Sequence, residues 1–273
     1  MRRIKWPKLI KKRGKTKVYV DGKRIVSPKM IVGGVKIYVK PETVQGFYYK
    51  DCFYSEDPEK FCAEKSEAAK RNFYLEAVKI SIGAWRYKVS DNGRENHNIT
   101  NLPNELTKSL RIKSQKVVSI DLSNSQVTIL KGIISSNVVQ ELFFEVVESG
   151  NFYEEVAKIA KCSREEAKIC TFELLFGRRR SKIYYLVRKK FPEVFKFVEK
   201  YKQEHEKNAF PIFLQREEAR IFDEVRATVR AENIPCIGKH DSILVAEEDV
   251  ARAEQIMRGI LEKHLGKVHL KIS

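Results

Sequence analysis

The sequence predicts an α+β protein in which helices pack on a mostly antiparallel sheet. Two runs near the N-terminus have the pattern of tight hairpins, and "KVVSIDLS" and "CIGKHDSILVA" have the patterns of a core strand and a further hairpin. Between them, apolar residues recur three and four positions apart over helical lengths. A last short strand, "KVHLKIS", follows the final helix. No internal repeat or low-complexity tract is present.

Composition restricts the class of partner. The 273 residues are 42% hydrophobic, which supports a real core, and they carry a formal net charge of +17. The simplest partner for such a surface is a polyanion, either nucleic acid or an anionic membrane. No apolar run approaches the roughly 18 to 20 residues that span a bilayer, and no apolar region follows the basic N-terminus as it would in a secretory signal. We therefore expect a soluble, cytoplasmic protein that does not insert into a membrane.

The cysteines argue against both a disulfide framework and a zinc site. They are odd in number, widely spread and without a CxxC pair, so we interpret them as free thiols. They are Cys52, Cys62, Cys162, Cys170 and Cys236.

The N-terminal segment is strongly basic. Residues 1–40 hold fourteen lysines and arginines against a single acid, Asp21. In "KVYVDGKRIV" and "MIVGGVKIYV" the pairs Asp21-Gly22 and Gly33-Gly34 stand between strand-like runs, which is a strong hairpin signal. We interpret residues 1–57 as a β-hairpin module that grips nucleic acid; the alternative is that its lysines keep an exposed sheet edge soluble. Unchanged affinity and salt dependence for duplex nucleic acid after deletion of residues 1–40 would contradict the first interpretation.

The rest of the chain is predicted to be mainly helical. A helix from about Pro58 to Ile80 begins a linker over residues 58–115. In residues 116–273 the strand "KVVSIDLS" is followed by helical runs, among them two helices separated near Cys162-Ser163. Ser163 with Glu166 has the spacing of a capping box, which predicts that the second helix starts there. The helices "FPEVFKFVEKYKQEH" and "QREEARIFDEVRATVRAE" precede the last hairpin, and "EEDVARAEQIMRGILEKHL" follows it.

Two aspartates lie where core strands end. Asp121 closes "KVVSID" and Asp241 interrupts "IGKHDSILV", 120 residues later. Each alone is most simply a turn residue, but two carboxylates side by side repel unless cations neutralise them. Two Mg²⁺ ions held by carboxylates and substrate phosphates are the machinery of nucleotidyl transfer.

The helix that starts at Ser163 carries a third signal. Four residues spaced by four lie along one of its faces, two cations followed by two aromatic rings. Such a face can hold a triphosphate and stack on a base, although an ordinary amphipathic helix has the same spacing. The four are Arg164, Lys168, Phe172 and Phe176.

Taken in order, these segments resemble the palm and fingers of family A DNA polymerases, a superfamily that includes the single-subunit phage-type RNA polymerases. "DLSNSQ" resembles motif A, "DYSQIE"; "REEAKICTFELLFG" resembles motif B, RxxxKxxxFxxxYG; and "KHDSILV" resembles motif C, "VHDEVLV". "NAFPIFLQREEARIFDEV" is similar to the helix "NAPMQGTAAD", and Gln215 stands at the position of that helix's glutamine. "NGRENHNITNLPNELTKSLRI" is similar to "TGRLSS…NLQNIP…IR", which places Arg94 and Arg111 at template-primer positions. The resemblance runs from about residue 86 to residue 273.

The resemblance implies a polymerase palm with an antiparallel sheet and reduced helical fingers, inserted at about residues 150–210. The implied activity is a template-directed, primer-extending DNA polymerase that uses two Mg²⁺ ions, with Mn²⁺ as a possible substitute. Its partners would be a DNA primer-template and deoxynucleoside triphosphates. Asp121, Asp241 and the backbone carbonyl of Leu122 would hold the metals.

The resemblance also implies roles for the remaining positions. Arg164 and Lys168 would bind the triphosphate, and Lys168 would give a proton to pyrophosphate. Phe172 would pack on the sugar and base. The primer-template would be contacted by Arg94, Arg111, Gln215 and His240.

Three positions depart from the DNA polymerase pattern. Gln126 stands where motif A has a glutamate that blocks the ribose 2′-hydroxyl, Phe176 stands where motif B has a tyrosine, and Ser242 replaces the motif C glutamate. An amide both donates and accepts, so Gln126 would tolerate a 2′-hydroxyl that glutamate repels. An RNA-synthesising or primase-like enzyme that uses RNA or ribonucleotides is therefore an alternative, and so is a catalytically inactive nucleic-acid-binding protein.

The spacing also departs from the family. Only 73 residues separate Lys168 from Asp241, so compact fingers are expected. Only 120 residues precede Asp121, from which we expect no 3′–5′ exonuclease domain and no proofreading.

Overall fold

The structure is a computed structural model. It describes the backbone of six strands between residues 8 and 54, and residues 76–77, 80, 87–100, 102–135, 140–177, 182–206 and 208–273. The described strands are β1 Lys8–Lys12, β2 Lys15–Val20, β3 Lys23–Ile25, β4 Lys29–Val32, β5 Val35–Tyr38, β6 Cys52–Tyr54, β7 Tyr87–Val89, β8 Glu95–His97, β9 Leu110–Ile112, β10 Gln115–Leu122, β11 Ile237–Lys239, β12 Ser242–Ala246 and β13 Leu270–Ile272. The helices are α1 Asn104–Lys108, α2 Ser125–Ile134, α3 Glu141–Glu148, α4 Phe152–Ala160, α5 Arg164–Phe176, α6 Lys182–Lys190, α7 Pro192–Glu204, α8 Ala209–Ala231 and α9 Val250–Leu265.

Both N-terminal hairpins are confirmed by strand pairing. In β2 and β3 Val20 faces Lys23, and in β4 and β5 Val32 faces Val35, so each predicted glycine pair falls in a two-residue connection. Strand β1 adds a third strand to the first of these sheets. The turn residues and all side chains of this segment lie outside the described residues.

The predicted helix from about Pro58 to Ile80 also lies largely outside the described residues. Only Glu76, Ala77 and Ile80 of it are described, and all three are helical. Helix α6 was not predicted, because its sequence "KIYYLVRKK" mixes aromatic and β-branched residues that favour strands with a basic end.

The central sheet is antiparallel, as the sequence predicts, and has the order β11-β12-β10-β9-β6 with β13 also on β10. Strand β12 pairs along one edge of β10, while β9 and β13 pair with the start and the end of its other edge. The sheet thus draws strands from all three predicted segments of the chain. The division of the chain into independent domains remains a prediction.

The two faces of this sheet differ, because side chains alternate along a strand. On one face Ile120 and Leu122 of β10 and Ile243 and Val245 of β12 join the large hydrophobic core with α2, α8 and α9. On the other face Leu244 joins a smaller cluster with residues of α1 and β9. The polar residues at the ends of β10 and β12 lie on this second face, so the sheet presents them away from the main helical layer.

Helix α5 is fixed at both ends. Its predicted capping box is present: Ser163 Oγ accepts from the backbone N–H of Glu166 at 3.2 Å, and the Glu166 carboxylate accepts from the backbone N–H of Ser163 at 2.8 Å. At the other end Lys202 of α7 donates to the carbonyls of Leu174 and Gly177, at 3.0 Å each. A cation at a helix C-terminus also interacts favourably with the helix dipole.

A buried histidine joins β8 to β11. His97 is 1% exposed. Its Nε2 lies 2.8 Å from the carbonyl oxygen of Gly238, and its Nδ1 accepts from the backbone N–H of Ile99 at 3.3 Å. These contacts require a neutral ring with the proton on Nε2. Burial is the main reason why the pKa of His97 falls from 6.5 to about 4.

We expect this histidine to make the protein acid-labile. Below pH 6.5 the unfolded chain takes up a proton that the native ring refuses, so stability is lost as the pH falls from 6.5 towards 4. The largest loss from this group is about 3 kcal/mol. In urea titrations between pH 4.5 and 7, His97→Gln, which keeps a donor and an acceptor, should flatten the pH dependence relative to the unmodified protein. Identical slopes in the two proteins would contradict the assignment.

None of the helices in the described part of the chain combines the length and the apolarity that a membrane span requires. The three cysteines whose side chains the structure describes, Cys162, Cys170 and Cys236, are free thiols, as predicted.

Candidate active site

The two predicted metal-binding aspartates lie side by side. Asp121 is the penultimate residue of β10 and faces Ser242 on β12, while Asp241 occupies the tight turn that joins β11 to β12. The backbone N–H of Leu122 donates to the backbone carbonyl of Asp241 at 3.0 Å, which joins the two segments directly. The ladder between the core strands thus brings together two carboxylates that are 120 residues apart in sequence.

Both carboxylates open into one pocket on the second face of the sheet. Its volume is about 410 Å³. Three lysines, Lys108, Lys239 and Lys271, also line the pocket, and Lys271 faces Asp121 across the β10–β13 ladder. A polyanionic substrate therefore meets positive charge at the rim and carboxylates at the centre.

The carboxylates are close enough to disturb each other. Burial, then the charge of Glu218 on α8, and then that of Asp121 raise the pKa of Asp241 from 3.8 to about 6. Repulsion among buried carboxylates is relieved by a cation, and all the donors here are oxygens, which hard divalent ions prefer. No group of three or more potential metal-ligating side chains occurs in the described part of the chain. Mg²⁺ is commonly held by one or two carboxylates together with substrate phosphates and water.

Glu218 is one of two residues near this site that the sequence prediction missed. It is 1% exposed and accepts from the hydroxyl of Ser125 at 3.1 Å and from the side-chain amide of Gln126. Its other oxygen forms an ion pair with Arg94 at 2.5 Å. The sequence did offer one indication of Glu218. It lies three residues after Gln215, and residues three apart are neighbours on one face of a helix.

Three of the predicted primer-template residues come together around this network. The loop after β7 lies along α8, where Asn92 donates to the side chain of Gln215 at 2.8 Å. Arg94 in the same loop binds Glu218, and its charge, after burial, lowers the pKa of His240. His240 has a positive φ of 58°, which the tight turn requires, and its buried Nδ1 has no hydrogen-bond partner within the described structure.

The fourth, Arg111, is held differently. It lies on β9, and its guanidinium donates to the backbone carbonyls of Lys108 and Leu110, at 3.2 and 2.9 Å. None of the contacts described for Arg111 joins it to the Glu218 network. Its position beside Lys108 places it next to the pocket rim instead.

Four of the five predicted nucleotide-binding residues lie along α5, and the fifth, Gln126, lies in the first turn of α2. Phe172 and Phe176 are neighbours, with ring centroids 5.6 Å apart, and Lys168 is exposed. Arg164 forms an ion pair with Glu154 at 2.5 Å, and its guanidinium carbon lies 5.6 Å from the ring centroid of Tyr153.

Tyr153 connects this helix to the carboxylates. It is 6% exposed, and burial, followed by the negative charge of Asp241, raises its pKa to about 12. The N-terminal end of α5 therefore lies on the side of the structure that holds Asp241. The sequence prediction missed Tyr153, because no spacing pattern relates α4 to the aspartates.

One comparison with known proteins, a search of solved structures, supports the fold described above. No protein-family model matches the sequence, and no curated protein matches it. A solved structure does match: the polymerase domain of Pol1 from M. smegmatis, in complex with DNA primer-template and dNTP, with a TM-score of 0.52 and 12% sequence identity. The match covers 76% of this chain and 50% of the Pol1 chain.

The fold is that of a polymerase palm. The antiparallel sheet with nine helices in the described part of the chain confirms the predicted fold class. This chain spans half the length of the matched structure. A sequence identity of 12% supports a shared architecture and nothing about individual residues. The roles of individual residues are therefore inferred from the geometry above.

Proposed function

We propose that this protein is a nucleotidyltransferase of the family A type, which extends a primer on a template with nucleoside triphosphates. The observation that carries the proposal is the pair Asp121 and Asp241, placed side by side in a pocket on the second face of a palm-type sheet. Three lysines line the same pocket, and the cationic end of α5 lies on the side of the structure that holds Asp241. The net charge of +17 suits a nucleic-acid partner.

The donor set fits two Mg²⁺ ions, or Mn²⁺ in their place. Asp121 and Asp241 would hold them, with the backbone carbonyl of Leu122 as a further ligand. When bound, these ions lower the pKa of the primer 3′-hydroxyl and neutralise the charge that develops on the phosphate oxygens.

The chain's own residues bind and orient the substrates. Arg164 and Lys168, one turn apart on α5, bind the triphosphate, while Phe172 packs on the sugar and base. The primer 3′-hydroxyl loses its proton to solvent, and its oxygen forms a bond to the α-phosphorus as the bond from that phosphorus to the bridging oxygen of the β-phosphate breaks, so that pyrophosphate leaves in line. Lys168 is exposed and supplies a proton to the departing pyrophosphate. Arg94, Gln215 and His240 hold the primer end, because the loop after β7 and α8 bring them together.

Synthesis with ribonucleotides is a second candidate, and a specific contact favours it. Gln126 binds Glu218 in the described structure, so the position that would exclude a ribose 2′-hydroxyl is an amide held by a buried carboxylate. Sugar preference is therefore part of the same test.

The test is extension of a labelled primer annealed to a DNA template. Mg²⁺ or Mn²⁺ is supplied, dNTPs and rNTPs are offered separately, and a chelator serves as the control. We expect template-matched addition that stops when the chelator is added. Binding of the duplex without addition of either nucleotide set, in either metal, would overturn the proposal and leave a nucleic-acid-binding protein.

A further inference from the structure

Strand β13 carries a lysine directly opposite one of the two aspartates of the candidate site. In the antiparallel pairing of β10 with β13, Asp121 faces Lys271, and Ser119 exchanges two backbone hydrogen bonds with Ser273, at 2.9 and 3.0 Å. Directly opposite residues point their side chains to the same face of a sheet. Lys271 and Ser273 therefore share the face of Asp121, and both line its pocket.

The ammonium group of Lys271 is not engaged within the described part of the chain. The residue is exposed, and no hydrogen bond or ion pair joins its side chain to another described residue. Asp121 instead accepts from the hydroxyl of Ser119, on its own strand, at 3.0 Å. Lys239, in the same pocket, differs from Lys271 because it donates to the hydroxyl of Thr107 at 3.1 Å. Lys271 therefore keeps its charge available for an anion that enters the pocket.

The pocket lies apart from the helix that would bind the triphosphate. None of its described lining residues belongs to α4 or α5. The described connection between α5 and the aspartates runs through Tyr153, whose pKa responds to Asp241 and whose ring lies against Arg164. A triphosphate held by Arg164 and Lys168 therefore reaches Asp241 from the side of Tyr153. The pocket is left for the other reactant, the primer.

A primer that reacts at the aspartates brings a phosphate close to Lys271. Its 3′-hydroxyl must lie beside Asp121 and Asp241, and the last phosphodiester is only one sugar away. The Cβ atoms of directly opposite residues in a sheet are about 4.5 to 5.5 Å apart, and the four-carbon stem of a lysine extends its reach beyond that. His240, which is predicted to contact the primer end, lines the same pocket.

We propose that Lys271 binds the phosphodiester that joins the last two nucleotides of the primer, and that it thereby holds the 3′-hydroxyl at the two aspartates. The inference rests on the proposed function and adds a substrate-binding residue to it. The chemistry that Lys271 recognises is a phosphate group, and the triphosphate is the other source of one. The experiments below distinguish the two sources.

The first experiment measures binding of primer-template by the full chain without any nucleotide. The last linkage of the primer is either a normal phosphodiester or a methylphosphonate, which has nearly the same shape but no charge. We expect the unmodified protein to bind the charged primer at least about fivefold more tightly, which one charge-assisted contact supports. Lys271→Gln should bind both primers equally, whereas Lys271→Arg, which keeps a cation, should retain the preference.

Two controls separate this contact from general electrostatic attraction. Lys196→Gln removes an exposed lysine of α7 that does not line the pocket, and it should leave the preference for the charged primer intact. A methylphosphonate placed one linkage further from the 3′-end should weaken binding equally in the unmodified protein and in Lys271→Gln. The dependence of log K on log salt concentration should be shallower by about one in Lys271→Gln.

The second experiment measures single-nucleotide addition by the same proteins. Lys271→Gln should raise KM for primer-template at least about fivefold and leave KM for the nucleoside triphosphate unchanged. A raised KM for the triphosphate alone would overturn the inference and assign Lys271 to the incoming nucleotide. An undiminished preference for the charged primer in Lys271→Gln would overturn it as well. Because binding is measured without nucleotide, a failure to add any nucleotide would contradict the proposed function and leave the binding result standing.

Discussion

Asp241→Asn is expected to abolish nucleotide addition and, in the same protein, to stabilise the fold. The loss of activity should be at least about 1,000-fold, because the substitution removes one of two carboxylates that would hold the metal ions and leaves the substrate's charge uncompensated. The same loss is expected for Asp121→Asn, since both side chains line one pocket. Duplex binding should persist, because the basic surface is unchanged.

The gain in stability follows from the repulsion at this site. The pKa of Asp241 is raised from 3.8 to about 6, first by burial and then by Glu218 and Asp121. A carboxyl whose native pKa is raised favours the folded state most at low pH, and this advantage disappears as the pH rises from 3.8 through 6. At pH 7 the charged group therefore costs the fold up to about 3 kcal/mol, which the neutral amide avoids.

Two measurements on the same preparations check this pair of effects. Urea unfolding at pH 7 with a chelator present should give a higher unfolding free energy for Asp241→Asn than for the unmodified protein. In primer extension with Mg²⁺, Asp241→Asn should give no extended primer. Glu247→Gln, an exposed carboxylate just after β12, is the matched control and should change neither readout. If Asp241→Asn extends primers at the unmodified rate, the metal-binding assignment is wrong.

Arg226→Met is expected to be among the most destabilising single substitutions in the protein, by about 3 to 5 kcal/mol. The Arg226 side chain is 5% exposed and lies 3.3 Å from the carboxylate of Glu95, which is itself 12% exposed. Tyr87 also donates to Glu95, at 2.8 Å. Without the arginine, Glu95 would remain buried with a hydroxyl as its neighbour and no opposite charge. Arg226 also contacts the strand that leads to Asp241, since a methyl group on Gly238 would meet its Cδ at 2.8 Å.

The matched control lies on the same helix. Arg220 pairs with Glu217 at 2.9 Å, but its side chain is 53% exposed, so Arg220→Met should cost less than about 1 kcal/mol. The double variant Arg226→Met/Glu95→Gln removes the stranded charge and should regain a large part of the loss. Denaturant unfolding of the four proteins gives the comparison. Equal losses for Arg226→Met and Arg220→Met would show that burial of the pair has no energetic weight.

Local features of the sequence were sufficient to predict several of the elements. The glycine turns of the N-terminal hairpins, the capping box at Ser163 and the apolar alternation around Asp241 each depend on residues a few positions apart. The described structure contains the pairing of the strands that flank both N-terminal turns, the capping box and the hairpin around Asp241. Helix α6 was missed because the propensities of its residues point the other way and tertiary contacts override them, with Tyr184 and Val187 buried in the core.

The candidate site was only partly predictable. The order of the motifs indicated that Asp121 and Asp241 belong together, and that Arg94 and Gln215 serve the same substrate. Glu218 and Tyr153 were not predicted, because glutamates and tyrosines on amphipathic helices are common and nothing local marks these two. The hydrogen bond that holds the Gln126 side-chain amide also depends on Glu218, a partner that lies 92 residues away in sequence.

By itself, the sequence determined the fold class, the basic character of the protein and the two aspartates, because these depend on composition and on patterns within single segments. Only the tertiary structure decided which charges meet. Burial raises the pKa of Asp241 and holds Glu218 against Gln126, and burial is a property of packed segments that no single stretch of sequence contains.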